Sequence, residues 1–513
     1  MNFVGLMIGV YSDDTNVFSS ADFMITELYD AKGSLSYSEE GYYNRIKWKN
    51  SFEFDVADAV SSRQKFLHQV KTAEYMGIDT ILVKSPCAAF LNCLSESNLK
   101  VFAECHSRED FKSLTTALNE NEKLFINFHM TADLPDFDIS GEPIELITLD
   151  SNAFITNAKG FLVLPKRHQK FISIFLSRQT NIALKGISPG NMLHVRDYLL
   201  HLSNQLPKSE SHPYRDVLQI PLEPLADDLC SGTYTVFEQD SHKYNAYHDA
   251  LLAAFQDRTK DDAIIVAVLG IGRGPLVDRV LDAADSIGQA VKVYAIEKNS
   301  SAIDVTISKK MKLWGSRVTL VQTDMREWKP REKVDIIVSE LLGSFSDNEL
   351  SPECLNATQH ILKNDGIYIP SSYSSLLTPI KSIKLFRSTK NCQVPYVVNL
   401  DQVSELCELR KVFTFEHPNS DLTCERFVDI DLHTTEQVHG FAGYFECTLY
   451  KSIKIHTKES NSWFPMFFPI QSPVSGHIKL QFWRKCDQRK VWYEWIVNGK
   501  NHNLGGLYHS IRL

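Results

Sequence analysis

Hydrophobic and polar residues are arranged along the chain in three different ways, one for each third. In the first third, short apolar runs alternate with segments of helical period. The runs at 80–83, 124–128 and 144–147 predict strands, and the segments 63–75 and 168–176 predict helices. Repeated alternation of strands and helices is typical of a parallel sheet, either open or closed into a barrel.

The middle third has the strongest pattern, because each apolar run ends at a glycine-rich or polar segment. A helix is predicted at 242–256, where apolar residues fall on one face. Four apolar runs after it predict strands at 263–269, 291–296, 317–321 and 335–339. Chemically active residue types at the carboxyl ends of successive strands are typical of a doubly wound α/β domain.

Beyond Pro370 the helical period disappears, and alternating, aromatic-rich runs replace it. The runs at 440–450, 478–483 and 491–497 predict strands at short spacing, which favours a β-sandwich or barrel. A polar stretch with two prolines at 205–213 is the most linker-like segment and separates the first third from the rest.

The composition is that of an ordinary globular protein. A chain of 513 residues predicts two or three domains, and 43% hydrophobic and 23% charged residues are common values. No apolar run approaches the ~20 residues that cross a bilayer, and residues 1–10 predict a first strand rather than a signal peptide. A net charge of −9 argues against non-specific nucleic-acid binding and suits basic partners.

The cysteines and histidines show no metal-site spacing in the sequence. The ten cysteines include no Cys-x-x-Cys pair, and no histidine cluster has zinc spacing. We therefore expect reduced thiols in an intracellular compartment and no metal. His106, His129 and His168 are each isolated, and we interpret them as surface or core histidines rather than ligands.

Two glutamates nine positions apart, Glu340 and Glu349, bracket the segment after the fourth strand of the middle third. On a helix they would point to opposite faces, since nine steps of about 100° leave them roughly 180° apart. Turn-forming residues between them, such as Gly343 and Asp347, predict a loop that brings the carboxylates together. Converging carboxylates repel unless a cation lies between them, and a guanidinium suits paired hydrogen bonds. Taken out of context, two solvated loop glutamates are the alternative.

A glycine-rich turn containing Gly270 and Gly272, with a third glycine two positions later, follows the first strand of this third. Its spacing is tighter than the dinucleotide fingerprint and is typical of S-adenosylmethionine-dependent methyltransferases. Glu297 is placed to accept hydrogen bonds from ribose hydroxyls. Asp324 is placed to accept from an adenine amino group, with the Met325 thioether on the ring. Each residue alone also fits a strand-end cap, but together they predict a cofactor site.

Three other functions fit parts of this pattern. A nicotinamide-dependent oxidoreductase shares the fold and the acid at 297, but the glycine spacing and the lack of a proton donor after the fourth strand count against it. A non-catalytic scaffold would have little use for the intact acids and glycines. A methyltransferase of amines or nucleic acids is disfavoured for base amines, because no Asn/Asp-Pro-Pro-Tyr motif follows the fourth strand.

Several longer motifs resemble the protein arginine methyltransferases, and the match to the type II family of protein arginine methyltransferase five is close. The resemblance is strong from about residue 221 to the end and weaker over the first 200 residues. The most specific stretches are 270–277, 324–328, 335–345 and 347–355, with further similarity at 234–238, 243–244, 439–446 and 462–465.

This resemblance implies three domains in an α/β protein. They are a TIM-barrel-like domain at 1–206, a Rossmann-like class I methyltransferase core at 207–372, and a C-terminal β-sandwich or barrel at 373–513 with dimer contacts. It implies catalysis by Glu340 and Glu349. Cofactor binding is implied for Tyr234, Lys243, Tyr244, Gly270, Gly272, Glu297, Asp324 and Met325. Substrate binding is implied for Phe237, Leu342, Ser462 and Trp463.

The implied activity is methyl transfer from S-adenosylmethionine to guanidinium nitrogens of protein arginines, giving monomethyl- and symmetric dimethylarginine. The implied substrates are histone tails and arginine-glycine-rich RNA-binding proteins, with roles in chromatin regulation and RNA processing in cytoplasm and nucleus. A homo-oligomer without membrane association is expected. The first domain is near the lower size limit of a TIM barrel, so degenerate βα units are expected. Because this domain is short, the resemblance does not decide whether a WD-repeat propeller binds to it.

Overall fold

The computed structural model groups the chain into two compact units. One comprises Met1–Pro213, Ser382–Ser388 and Gln402–Ser404, and the other comprises Tyr214–Lys381, Thr389–Asp401 and Glu405–Leu513. The second predicted domain and most of the third thus fall in one unit, whereas Ser382–Ser388 and Gln402–Ser404 of the third belong to the other unit. The predicted boundary after residue 206 adjoins a segment outside the described residues. The structure describes residues 8–11, 23–27, 50–55, 63–75, 77, 80–84, 97–206, 214–258, 262–419 and 422–513.

Eight parallel strands from these described residues close into a barrel in the first unit. They pair in chain order, with the last strand against the first, so the predicted TIM-like barrel is confirmed. One βα unit is degenerate, because the connection 131–143 contains no helix. The first seven residues of the strand predicted at 1–10 lie outside the described part of the chain.

The barrel strands are β1 Ile8–Tyr11, β2 Phe23–Glu27, β3 Asn50–Asp55, β4 Thr80–Lys84, β5 Lys100–Cys105, β6 Leu124–Met130, β7 Ile144–Asp150 and β10 Asn181–Lys185. A hairpin of β8 Ile155–Thr156 and β9 Leu162–Val163 precedes the last of them. The helices of this part are α1 Arg63–Tyr75, α2 Arg108–Glu120, α3 Lys166–Ser177 and α4 Pro189–Gln205.

Side chains inside the barrel change from apolar to charged toward the carboxyl ends of the strands. The apolar layer is a buried cluster made by Leu82, Phe102, Leu146 and Ala183, with Phe125 against it. Because alternate residues of a strand face the same side, the next inward layers are polar. Thr148 Oγ1 donates to Asn127 Oδ1 at 2.9 Å, and beyond this pair lie Glu104, His129, Asp150 and Lys185.

The interpretation of His106 and His129 as isolated residues is wrong. Both rings lie within hydrogen-bonding distance of Glu104, His106 Nε2 at 2.9 Å and His129 Nδ1 at 3.2 Å from its Oε1. The pairing of β5 with β6 brings these residues together, although they are distant in sequence. His168 is a core histidine as interpreted, with Nε2 3.0 Å from the Thr131 carbonyl oxygen.

A helix from much later in the chain completes the barrel unit. This helix, α10 Ile383–Ser388, contributes the buried Ile383 to the hydrophobic core around the barrel strands. The Arg387 guanidinium donates to the carbonyl oxygens of Leu118 and Leu124, at 2.6 Å from Nε and 2.9 Å from Nη2. Burial lowers the pKa of Arg387 to about 10. The barrel core therefore depends on residues far beyond its last strand.

A parallel sheet with the strand order β13-β12-β11-β14-β15 begins the second unit, and it includes all four predicted strands. The order reverses between β11 and β14, and ligands bind outside the carboxyl ends at such a switch point. The strands are β11 Ile264–Leu269, β12 Val291–Glu297, β13 Val318–Gln322, β14 Val334–Ser339 and β15 Leu362–Ile369. The helices are α5 Ser231–Glu238, α6 Ser241–Asp257, α7 Pro275–Ile287, α8 Ser300–Lys309 and α9 Ser351–Ala357.

An antiparallel sheet forms the rest of this unit, as predicted for the last third. Its two long central strands are β20 Arg426–Tyr450 and β22 Met466–Cys486. The other strands are β16 Ser372–Lys381, β17 Tyr396–Val397, β18 Ser404–Glu405, β19 Arg410–Glu416, β21 Ile453–His456, β23 Lys490–Val497, β24 Lys500–His502 and β25 Ile511–Arg512. Across the described residues, no helix combines the length and apolar character required to span a membrane.

Candidate active site

A cavity lies at the switch point of the parallel sheet, where β11 and β14 end. Its walls come from the glycine-rich turn, the segments after β12, β13 and β14, and the helices α5 and α6. Lys243 and Ser462 are outside this lining. The predicted site residues that line the cavity are Tyr234, Phe237, Tyr244, Gly270, Gly272, Glu297, Asp324, Met325, Glu340, Leu342, Glu349 and Trp463.

Glu297 ends β12 and is held by two backbone amides. Gly272 N donates to Oε2 at 2.8 Å, and Asn299 N donates to Oε1 at 2.9 Å. Gly272 has φ of 53°, and a Cβ there would lie 2.8 Å from the Tyr234 ring, so the position requires glycine. Burial and then the charge of Glu297 raise the pKa of Tyr234 to about 12. The carboxylate is thus fixed at the cavity edge and retains lone pairs for hydroxyl donors.

Asp324 follows β13 and is paired with a neighbour that the sequence analysis did not single out. Arg326 donates to it from the backbone N at 2.8 Å and from Nη2 at 2.7 Å. Burial opposes ionisation of Asp324, but these hydrogen bonds outweigh it and hold the pKa below its ordinary value. Asp324 is therefore an ionised acceptor in the cavity wall beside Met325.

The segment between Glu340 and Glu349 folds into the predicted loop. Gly343 and Ser346 exchange backbone hydrogen bonds of 3.1 and 2.9 Å, and Asn348 Oδ1 accepts from the backbone N of Phe345 at 2.7 Å. The loop starts at the end of β14 and turns back, so both glutamates reach the same cavity.

A buried charge network, absent from the sequence analysis, anchors this loop. Asp347 Oδ2 accepts from Arg484 Nε at 2.5 Å and from the Tyr493 hydroxyl at 2.7 Å. Asp347 Oδ1 accepts from Ser375 Oγ at 2.8 Å. The Arg484 guanidinium also donates to both oxygens of Glu353, at 2.8 and 2.9 Å. Arg484 and Asp347 are fully buried, so strands of the antiparallel sheet determine the loop position.

Glu340 lines the cavity and also forms an ion pair with a buried lysine. Lys243 Nζ, on a side chain with no exposed surface, donates to Glu340 Oε2 at 3.1 Å. The ammonium group also lies 5.3, 4.9 and 4.8 Å from the ring centres of Phe237, Tyr244 and Trp463. Carboxylate and aromatic faces both attract cations. The structure therefore places Lys243, implied to bind cofactor, in a cation site beside the first glutamate.

Glu349 lies at the other end of the loop, and the described residues place no cationic side chain in an ion pair with it. Burial, followed by the negative charge of Glu340, raises its pKa well above the ordinary value of 4.5, and Lys243 opposes this only in part. A raised carboxyl pKa means that the ionised form lacks sufficient cationic stabilisation. The ionised form of Glu349 is therefore disfavoured in this cavity.

Asp240 is a further positioning residue, and it explains where Ser462 lies. Its Oδ1 accepts from the backbone N of Lys243 at 3.0 Å, capping α6. Its Oδ2 accepts from Ser462 N at 3.1 Å and Oγ at 2.9 Å, and also from Ser460 Oγ. Burial opposes ionisation, yet these bonds lower the pKa of Asp240. An aspartate directly before a helical pattern was the available sequence signal.

Asp240→Ala is expected to lower the free energy of unfolding by about 1–2 kcal/mol, the scale of a lost helix cap. It also releases the Ser460–Ser462 segment next to Trp463, which lines the cavity, so KM for a ligand that reacts in this cavity should rise. Urea unfolding and steady-state kinetics measure the two effects. Asp249→Ala removes an exposed aspartate from the same helix and should change stability by less than about 0.5 kcal/mol. Equal free energies of unfolding and equal KM values in the two variants would contradict the role of Asp240 in positioning this segment.

Three family models match the chain in succession. Residues 53–219 match the model described as PRMT5 TIM barrel domain, residues 205–369 match PRMT5 arginine-N-methyltransferase, and residues 372–507 match PRMT5 oligomerisation domain. These ranges correspond to the barrel, the parallel sheet with its cavity, and the antiparallel sheet.

Curated relatives match over most of the chain. Protein arginine N-methyltransferase 5 of Oryza sativa subsp. indica is 38% identical, covering 79% of this chain and 73% of the rice protein. The Xenopus laevis protein of the same name is 40% identical, covering 79% and 71%. Protein arginine N-methyltransferase skb1 of Schizosaccharomyces pombe is 33% identical, covering 88% and 83%. The chain therefore belongs to the PRMT5 family of protein arginine N-methyltransferases.

Proposed function

We propose that the cavity at the switch point is where this arginine N-methyltransferase acts, and that its final product is symmetric dimethylarginine. One observation carries the proposal: Glu340 and Glu349, at the two ends of one loop, line the same cavity as the glycine-rich turn and Glu297. A methyl donor and a guanidinium group can therefore meet in one enclosed space.

The cavity residues fit S-adenosylmethionine, which supplies a methyl group already activated by its sulfonium. Glu297 would accept from ribose hydroxyls, and the ionised Asp324 would accept from the adenine amino group. A Cβ at Gly270 would lie 3.1 Å from Leu341 and 3.6 Å from the Met325 methyl group, so glycine keeps this wall open. Tyr234 would remain a protonated donor at neutral pH because its pKa is raised.

The two glutamates would orient and activate the arginine side chain. A free guanidinium delocalises its lone pairs and is a poor nucleophile. Carboxylates of Glu340 and Glu349 would draw positive charge toward the nitrogens they contact, and leave the remaining terminal nitrogen more nucleophilic. The bound guanidinium would also provide the cation that Glu349 lacks, and so favour the ionised form of this acid. Alignment and electrostatics together would lower the barrier.

Mass spectrometry of an arginine-glycine-rich peptide, incubated with the whole chain and S-adenosylmethionine, tests this proposal. Neutral losses during fragmentation distinguish symmetric from asymmetric dimethylarginine in the same run. Symmetric dimethylarginine is the expected product, with monomethylarginine appearing first. An exclusively asymmetric product would contradict the proposal.

The substrates, partners and location of the protein follow from the same proposal. Histone tails and arginine-glycine-rich RNA-binding proteins are the proposed substrates, since both present arginine in flexible segments. Roles in chromatin regulation and RNA processing would place the protein in the nucleus and the cytoplasm. The match to an oligomerisation domain supports a homo-oligomer, and a WD-repeat propeller is a further proposed partner.

Phe237→Met is expected to add asymmetric dimethylarginine to the products. The Phe237 ring lines the cavity beside the Lys243 ammonium group, and a flexible methionine would leave more room around an already methylated nitrogen. The same mass-spectrometric assay measures the ratio of the two products. Val236→Ala alters the exposed neighbour on the same helix and should preserve the wild-type ratio. An unchanged ratio in Phe237→Met would show that this ring does not determine the product.

A further inference from the structure

The charged end of the barrel interior contains a cluster of side chains that do not line the methyl-transfer cavity. Glu104 lies near the end of β5, His106 directly follows that strand, and His129 lies near the end of β6. Enzymes with this barrel carry their functional groups at the same carboxyl ends of the strands. The cluster is therefore in the part of the fold where ligand sites form.

The three side chains converge at the distances of a metal site. One ligand atom from each of Glu104, His106 and His129 lies within 4.8 Å of the others. The two imidazole nitrogens are 2.9 and 3.2 Å from Glu104 Oε1. Tetrahedral zinc with bonds of about 2.0–2.1 Å separates its nitrogen and oxygen ligands by roughly 3.3 Å. The two histidine–carboxylate distances match this separation, and the histidine-to-histidine distance, which is within 4.8 Å, would adjust when an ion binds.

An unpaired carboxylate oxygen gives a second, independent reason to place a ligand here. Glu104 is 5% exposed, and among the residues that the structure describes, its buried Oε2 has no hydrogen-bond partner. A buried acceptor left unpaired destabilises the folded protein. The histidine contacts satisfy Oε1 only, so hydrogen bonding within the cluster does not account for the second oxygen.

The surroundings also resemble the outer part of a metal site. His129 Nδ1 faces Glu104, while its Nε2 lies 3.4 Å from Asp150 Oδ2. Histidine ligands of metals commonly donate their other ring N–H to a carboxylate, which orients the ring. The His106 side chain is 51% exposed and offers a path for the ion. Lys185 adds one positive charge near Glu104, but Glu104 and Asp150 together contribute two negative ones.

We propose that Glu104, His106 and His129 bind one Zn²⁺ ion at the carboxyl end of the barrel, with water at the fourth position and Asp150 orienting His129. Two imidazoles and a carboxylate form a donor set that suits zinc. None of these four residues lines the methyl-transfer cavity, so this would be the barrel's own ligand site.

Equilibrium dialysis of the whole chain against Zn²⁺, with metal analysis after removal of weakly bound ions, tests the proposal. We expect one ion per chain in excess of that bound by His106→Ala, and a dissociation constant at least ~10-fold higher in this variant. His201→Ala, which removes an exposed histidine of α4, should bind zinc like the wild type. Equal binding by His106→Ala and wild type, or an equal loss in His201→Ala, would overturn the site.

A second variant and a second metal keep the test independent of folding. Glu104→Gln retains the side-chain shape and should weaken zinc binding at least ~10-fold, whereas Glu145→Gln, on an exposed side chain of β7, should not. Co²⁺ in a tetrahedral site gives strong visible absorption, which we expect in the wild type and not in His106→Ala. Circular dichroism spectra matching the wild type would establish that each variant is folded. A cobalt spectrum identical in both proteins would contradict the proposal.

Discussion

Glu349→Gln is expected to lower turnover at least ~100-fold, the scale for removing one preorganised electrostatic group. Glutamine preserves the shape of the side chain but carries no negative charge to stabilise a guanidinium. The change is measured as kcat with an arginine-glycine-rich peptide at saturating S-adenosylmethionine. Glu332→Gln, at a surface acid paired with Lys292, should keep kcat within about twofold. Near-normal turnover in Glu349→Gln would refute the role of the paired acids.

The same substitution is expected to stabilise the ligand-free protein. Burial and the negative charge of Glu340 raise the pKa of Glu349 well above its ordinary value of 4.5. At a pH between 4.5 and this raised pKa, the folded chain therefore holds a proton that the unfolded chain has released. Wild-type stability therefore falls as pH rises through this window. Glu349→Gln lacks this dependence, and its advantage in urea unfolding should grow as the pH rises above 4.5. A constant difference would contradict the raised pKa.

Glu340→Gln provides the contrast, with a similar loss of turnover but lower stability. Glu340 is the carboxylate partner of Lys243, whose side chain has no exposed surface. Loss of a hydrogen bond between charged groups costs about 1–3 kcal/mol. Opposite stability changes with equal kinetic losses would show that both acids serve catalysis, while only one is already paired in the ligand-free protein.

Arg484→Met is expected to lower the free energy of unfolding by about 3–5 kcal/mol, because it leaves buried carboxylates uncompensated. Arg484 donates to Asp347 and to both oxygens of Glu353. Total stabilities of domains are only about 5–15 kcal/mol. The loss is therefore severe, and the Glu340–Glu349 loop should lose its anchor with it. Urea unfolding and kcat measure the two effects.

Two further variants separate charge from geometry at this position. Arg484→Lys keeps the charge but not the planar fork that reaches two carboxylates, so an intermediate stability is expected. Lys479→Met removes an exposed cation from the same strand and should cost less than about 1 kcal/mol. An Arg484→Met protein as stable as the wild type would show that apolar packing replaces the network.

Local patterns were sufficient to predict much of the fold and part of the site. Apolar runs located the strands β11, β12, β13 and β14, since the strands of a parallel sheet are buried on both faces. Turn-forming residues between Glu340 and Glu349 predicted a loop, because no helix brings both acids to one side. In each case the relevant physics acts within about ten residues.

The contacts that were missed depend on residues far apart in sequence. Arg484 reaches Asp347 only through the pairing of the antiparallel strands, and the Lys243–Glu340 pair joins α6 to the residue that follows β14. The proximity of His106 to His129 could not be predicted from their spacing in the sequence either, because it results from the register of β5 against β6 in the closed barrel. None of these contacts can be recognised from the residues that lie next to each partner in the sequence.

Because of helix α10, the barrel unit includes residues that are synthesised after the strands of the parallel sheet. Ile383 belongs to its core, and Arg387 occupies the carbonyl groups of Leu118 and Leu124. A ribosome that has released only the eight strands has not yet made this helix. The first unit to emerge is therefore complete only after much of the second has been made, and a fragment ending at residue 206 would lack the apolar side chain of Ile383 and the hydrogen bonds of Arg387.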